Sequence, residues 1–286
     1  MRHAFAFAGL FLLAATLRAA LPVPRESPAA TLRETVGITD IEIVYHRPAV
    51  KGRKIWGGLV PYGEVWRLGA NEATTLQLGN AVKLAGHDVP AGTYGVFAVP
   101  GPEKWTLILN KRAQQWGAYF YKPEEDFLRF EVTPTAGPDA EWMTFALTPQ
   151  GWDRLSIDFA WEKLRWSIPV EVDVDGLVWS RYDAGLADPK ATADDYLTAA
   201  KFALQRNQRL DEAMAWADKS LQMNPGFWQY EAKGRLLHAK GRTAEAIPLL
   251  VLAVEDAKGK APQGYIDGLE KTIAEWKAGL PARGGN

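Results

Sequence analysis

The chain contains no cysteine, which excludes disulfide staples and every reaction that needs a thiolate. Its formal net charge is only -1. Lys and Arg number 33 against 34 Asp and Glu, so no global basic field draws the protein to nucleic acid or to an anionic membrane. Histidine is scarce: beyond His3, only His46, His87 and His238 occur. None has the close histidine or carboxylate spacing that zinc requires, so no metal is expected. The Gly-x-Ser-x-Gly elbow of serine hydrolases and the glycine patterns that cradle nucleotide phosphates are missing too, and no cofactor is expected. No apolar run reaches the roughly 20 residues that span a bilayer.

What is present is ordinary globular composition, 47% hydrophobic and 23% charged, which argues against disorder. Within it stand 12 Trp, side chains that bury large areas or offer flat faces to ligands. The opening MRHAFAFAGLFLLAATLRAA has a basic start, an apolar run from Ala4 to Leu17 and small residues at Ala19 and Ala20. That is the layout of a secretory signal peptide over residues 1–20. Arg18 fits the cleavage pattern poorly, which leaves an uncleaved anchor as the alternative. With no cysteine after the apolar run, lipid-attached export is excluded. The expectation is an exported protein, periplasmic or extracellular, with no membrane span after signal cleavage.

Residues 31–174 read as strands. In ITDIEIVYH, Ile41, Ile43 and Tyr45 fall on one face and Glu42, Val44 and His46 on the other. Further β-rich runs, from ATTLQLG and AVKLAG to LSIDFAW and WSIPVEV, are separated by turn chemistry at 86–88, 90–92, 100–102 and 134–138. Many short strands without intervening helices predict an antiparallel β-sandwich-like domain. Residues 175–192 (DGLVWSRYDAGLADPKAT) suit a connector, with Trp179 and Tyr182 packing it against something. After Asp188 the pattern turns helical, and two segments align at an offset of 33 residues: Arg209 with Arg242, Glu212 with Glu245, Ala213 with Ala246, Leu221 with Val254. A final amphipathic helix over Gln263–Lys277 reads as the polar cap of such an array, making 193–280 a helical repeat domain.

Gly234, Ala213, Ala246, Ser220, Ala253 and Pro225 resemble the small-residue and proline positions of the tetratricopeptide repeat. Lys201 and the missing second closing proline depart from it, and Pro248 predicts a kink in the last paired helix. The resemblance implies a concave surface for a protein or peptide, with Trp216, Trp228 and Tyr230 as contacts, or a docked structural role for the same helices. The stretch YHRPAVKGRKIWGGLVPYGEVWRLGANEATT, residues 45–75, together with VPAGTYGVFAVP, KWTLILNK and QQWGAY, closely resembles the bacterial domain-of-unknown-function family 2911. That resemblance implies an exported bacterial protein and leaves its chemistry open.

Residues 61–74, PYGEVWRLGANEAT, concentrate aromatic and charged side chains on a path with neither helical nor strand period. One reading makes them a lock, with Arg47 and Arg67 paired to Glu64 and Glu72. The other makes Arg47, Tyr62, Trp66, Arg67, Asn71 and Glu72 a pocket, since a flat ring with a few fixed polar groups suits a sugar or small polar ligand. KGRK at 51–54 reads as a solvated turn. Asp158 and Glu162 read as an exposed strand face opposite Ile157, Phe159 and Trp161. The leading expectation is an exported binding protein for a small polar or carbohydrate-like ligand. Alternatives are a hydrolase of an envelope or extracellular polymer with Glu72 as acid or base, or a scaffold.

Overall fold

The structure is a computed structural model, and it describes residues 23–279; the expected signal segment lies outside them. The chain divides between Val172 and Asp173 into two compact units. Among the described residues the first has ten strands: β1 (Ala29–Val36), β2 (Thr39–His46), β3 (Thr74–Leu78), β4 (Val82–Leu84), β5 (His87–Val89), β6 (Gly92–Val99), β7 (Trp105–Asn110), β8 (Asp126–Val132), β9 (Thr135–Pro149) and β10 (Arg154–Glu171). They form a six-stranded sheet in the order β1-β2-β3-β6-β7-β8 and a four-stranded sheet in the order β5-β4-β10-β9. Every neighbouring pair is antiparallel.

Alternation along each strand decides which side chains enter the core. Ile41, Ile43 and Tyr45 are at most 2% exposed, as their spacing in the sequence predicted. Ile43, Leu76 and Leu107 from the larger sheet meet Phe145, Ile157 and Ile168 from the smaller around one void of about 20 Å³. At one end of this layer Trp56, Trp66, Trp105, Phe159 and Trp161 pack ring against ring, with centroids 4.6 to 6.5 Å apart. Offset and edge-to-face contacts of this kind add to the large apolar area such rings bury.

Three local readings change in the structure. The run 134–138 is mostly strand, because β9 is an edge strand and Pro138 removes no ladder hydrogen bond there. His87, read as part of a turn, starts β5; the bend falls one residue earlier, where Ala85 and Gly86 have φ of 48° and 82°. Glu162, placed by alternation beside Asp158, sits instead at a break in the β9/β10 register with φ 51°. Its carboxylate accepts from the Lys163 backbone N–H at 2.8 Å. Asp158 accepts from the Thr148 and Ser167 hydroxyls, both at 2.5 Å.

The outer face of the larger sheet carries a second, smaller core. Phe97 and Ile108, paired across β6 and β7, pack with Ala73 beneath Val65, Ala118 and Tyr121. These come from two irregular segments, 61–73 and 111–122, which thereby cover part of that face. Gly95 permits the crossing, since a Cβ there would stand 2.9 Å from the Arg112 carbonyl oxygen.

The second unit contains six helices among the described residues: α1 (Val174–Ala187), α2 (Ala193–Arg206), α3 (Leu210–Met223), α4 (Phe227–Ala239), α5 (Thr243–Ala257) and α6 (Gln263–Lys277). The expected connector is therefore mostly helix. Its signal was Asp173, whose side chain accepts from the Gly176 N–H at 3.0 Å and caps α1. Helix α2 packs on α3, α4 on α5 and α5 on α6. The small residues aligned at the offset of 33 lie where these helices touch: Ala213, Ala246, Ser220 and Ala253 are all 0% exposed. A Cβ at Gly234 would come within 2.3 Å of Leu250 Cδ1. Despite Pro248, α5 runs unbroken, because burial of Ala246, Leu250, Ala253 and Val254 outweighs the one missing hydrogen bond. None of the described helices is long and apolar enough to cross a membrane.

Candidate functional site

Beside these loops the outer face of β2, β3 and β6 opens as a cleft of about 530 Å³. Its floor follows from strand register. Glu42 faces Gln77 and Val44 faces Thr75 across β2 and β3, and Gln77 faces Thr93 across β3 and β6. The alternation that sends Ile41, Ile43, Leu76 and Leu78 into the core sends this polar row outward. The rim is formed by His46, Glu72, Gln114 and Gln115.

Glu72 is held at the rim by an unusual backbone path. Leu68 and Asn71 adopt left-handed conformations, φ 52° and 57°, the second a residue type that tolerates this region. The Asn71 carbonyl accepts from the Gly117 N–H at 3.0 Å, its side-chain amide donates to the Ser27 carbonyl at 3.3 Å, and Glu72 pairs with Trp116 across an isolated bridge. Glycines and left-handed residues make the irregular path, and the partner segments at 25–28 and 115–117 fix it.

The Glu72 carboxylate is 43% exposed. Arg25 Nη1 donates to Oε1 at 2.8 Å and to Oε2 at 2.6 Å, while His46 Nε2 stands 3.4 Å from Oε2. The Arg25 guanidinium also lies 5.5 Å from the centre of the Trp116 ring, within cation–π range. The hydrogen bonds from Arg25 hold the Glu72 carboxyl below the usual carboxylate range. Burial lowers the His46 imidazole below its ordinary value, against the pull of Glu72. At neutral pH the rim therefore carries an ionised carboxylate beside a neutral imidazole.

The six residues expected to share one pocket are divided. Glu72 lines the cleft and Asn71 positions it. Arg47 turns the other way, donating from Nε to the Met143 carbonyl at 3.0 Å and from Nη2 to the Thr144 hydroxyl at 2.9 Å, so it ties β2 to β9. Trp66 is 8% exposed, stacks on Trp161 and donates its indole N–H to the Gly69 carbonyl at 3.1 Å. Its rings belong to the core and do not line the outer-face cleft. Arg67 is half-buried, its Nε has no partner among the described residues, and burial lowers its pKa. With Trp66, Lys51 and Arg53 it lines a separate pocket of about 190 Å³. Tyr62 is 42% exposed and covers Gly57.

The expected lock, with Arg47 and Arg67 on Glu64 and Glu72, does not form either, since Arg25 takes Glu72. Residues outside the expected six supply much of the site: Glu42, Thr75, Gln77 and Gln114 line the cleft, and Arg25 and Trp116 hold Glu72 from outside it. For Glu42 the signal was its place on the polar face of ITDIEIVYH. For Trp116 no local signal distinguished it from the buried tryptophans.

Together these features define a two-sheet antiparallel domain with an open polar cleft on one outer face, followed by a helical unit. The chain belongs to the family described as "Protein of unknown function (DUF2911)", which matches residues 27–170. No curated protein and no solved structure matches it.

Proposed function

We propose that this is an exported bacterial binding protein whose β domain holds a small polar or carbohydrate-like ligand in the outer-face cleft. The observation that carries the reading is the composition of that cleft: about 530 Å³ lined by carboxylate, amide and hydroxyl side chains together with the apolar Val44, Ala73 and Ala113; the half-exposed Trp116 is bridged to Glu72 outside the lining. Polar groups fixed on a rigid sheet set orientation, Val44 and Ala73 supply apolar contact, and the exposed ring of Trp116 at the Glu72 bridge extends it, the combination by which sugars are gripped. The apolar opening segment, read as a signal peptide, supports export. The paired helices with buried small residues at a spacing of 33 support a tetratricopeptide-like array that contacts a protein or peptide.

A hydrolase with Glu72 as acid or base draws less support. A general acid needs a raised pKa, whereas Arg25 lowers that of Glu72.

The test is calorimetric titration of the purified protein with a panel of neutral and charged mono- and oligosaccharides. At least one should bind saturably, and Trp116→Ala should weaken it by tenfold or more. A panel without a binder, or a binder indifferent to Trp116→Ala, overturns the assignment.

A further inference from the structure

The pocket of about 190 Å³ that Arg67 lines with Lys51 and Arg53 is separate from the outer-face cleft and shares no lining residue with it. A turn places two of its cations. Arg53 donates its backbone N–H to the Val50 carbonyl at 3.0 Å, and Lys51 and Gly52 between them are left-handed, with φ of 49° and 67°. That backbone is costly for a lysine, and contacts on both sides of it hold it. The Lys51 N–H donates to Glu141 Oε1 at 2.9 Å, and the Arg53 guanidinium donates to the Val50 and Ala49 carbonyls at 3.1 and 2.6 Å. KGRK is thus a turn, as expected, but one that lends two side chains to a pocket wall.

The charges around this pocket do not balance. Among the described residues that line it, Glu26 is the one carboxylate. Lys51 Nζ stands 3.0 Å from its Oε2, and the hydrogen bond and charge of Lys51, with a smaller pull from Arg53, hold the Glu26 carboxyl below the usual range. Arg67 has no such partner. No hydrogen bond or ion pair from a described residue reaches its guanidinium, its Nε is buried, and burial lowers its pKa with only Tyr119 pulling the other way. Arginine nevertheless stays charged, and a charge drawn out of water without a counter-ion is costly. A half-buried guanidinium with no carboxylate near it marks a place for an anion from outside the chain.

A guanidinium holds a carboxylate or a phosphate through two parallel N–H···O bonds. A water-sized group takes ~30 Å³, so a pocket of about 190 Å³ leaves room beyond a bare carboxylate, and Leu59, Val60 and Trp66 give that room an apolar wall. We infer that this pocket is a second ligand site, distinct from the cleft, for a small organic anion whose carboxylate or phosphate pairs with Arg67 and whose apolar body lies against Leu59 and Val60. Lys51 and Arg53 add positive field that draws anions in. Glu26, its side chain 88% exposed, is free to turn away into solvent as the ligand enters.

The experiment titrates the purified protein with benzoate, phenyl phosphate, inorganic phosphate and the neutral benzyl alcohol, reading heat of binding and melting temperature, and repeats the series with Arg67→Met and Arg67→Gln. Benzoate or phenyl phosphate should bind wild type saturably and raise its melting temperature, benzyl alcohol should bind at least tenfold more weakly, and both variants should lose at least tenfold in anion affinity. Without ligand, both variants should melt no lower than wild type, since no ion pair is lost and an unpaired charge is removed. That readout separates a ligand-binding arginine from a structural one. The tighter of benzoate and phenyl phosphate identifies the oxyanion, and inorganic phosphate should bind more weakly than phenyl phosphate; equal affinities overturn the apolar wall. Benzyl alcohol binding as tightly as the anions, anion affinity unchanged in both variants, or a lower melting temperature in both variants overturns the site. Failure of every probe on wild type overturns it as well and leaves the saccharide reading of the cleft standing, because Trp116→Ala tests that reading at other residues.

Discussion

Two groups of aromatic side chains in the β domain have similar composition and opposite fates. Trp56, Trp66, Trp105 and Trp161 are each at most 8% exposed, and the indole N–H groups of Trp56, Trp105 and Trp161 have no partner among the described residues. That group is held by ring packing and burial. Trp116, Tyr119 and Phe120 are 49%, 81% and 57% exposed, and cations lie over two of them, Arg25 over Trp116 and Arg112 over Phe120. Trp56, Trp66 and the exposed group sit in irregular segments near glycines, whereas Trp105 and Trp161 stand on β7 and β10. The chain around Trp66 pairs with β6 in both directions, its N–H and carbonyl bonded to those of Ala98 at 2.7 and 2.9 Å. That pairing acts as an extra strand turning Trp66 inward. Trp116 has only its isolated bridge to Glu72, at a site open to solvent. An aromatic residue is spent on stability or left free for a ligand according to which backbone it pairs with.

The contrast can be broken by substitution. Trp66→Ala should cost about 3 to 5 kcal/mol in chemical denaturation of the protein, the usual effect of emptying a large core site; a loss below about 1 kcal/mol would mean the cluster is not the core it resembles. Arg47→Ala should cost about 1 to 3 kcal/mol, because it leaves the part-buried Met143 carbonyl and Thr144 hydroxyl without their donor. It should leave ligand affinity unchanged, and a tenfold loss in titration would return Arg47 to the binding site. The smallest change belongs to Trp116→Ala, within about 0.5 kcal/mol of wild type by the same denaturation measurement. A larger loss would place Trp116 with the buried group.

Much of the fold was legible because strand alternation and a repeated helical spacing are local patterns. Glu42 shows how far that legibility reached into the site: a period of two put it on the polar face of β2, but only the register of β2, β3 and β6 joined it to Thr75, Gln77 and Thr93. For Glu72 the sequence marked a conspicuous loop without naming its partner, which proved to be Arg25, 47 residues away. Trp66 lies away from the cleft that Glu72 lines because its segment pairs with Ala98, which nothing in PYGEVWRLGANEAT announces. The connector reading failed on a single overlooked cap, Asp173.

By itself the sequence determined the two-part organisation, the antiparallel strands, the aligned helices, and the absence of thiol chemistry, since each depends on residue type and spacing along the chain. Tertiary structure alone decided which tryptophans are core, which arginine meets Glu72, and that the polar face of the larger sheet stays open as a cleft. Those outcomes depend on contacts between segments tens of residues apart, where burial and pairing outweigh any local preference.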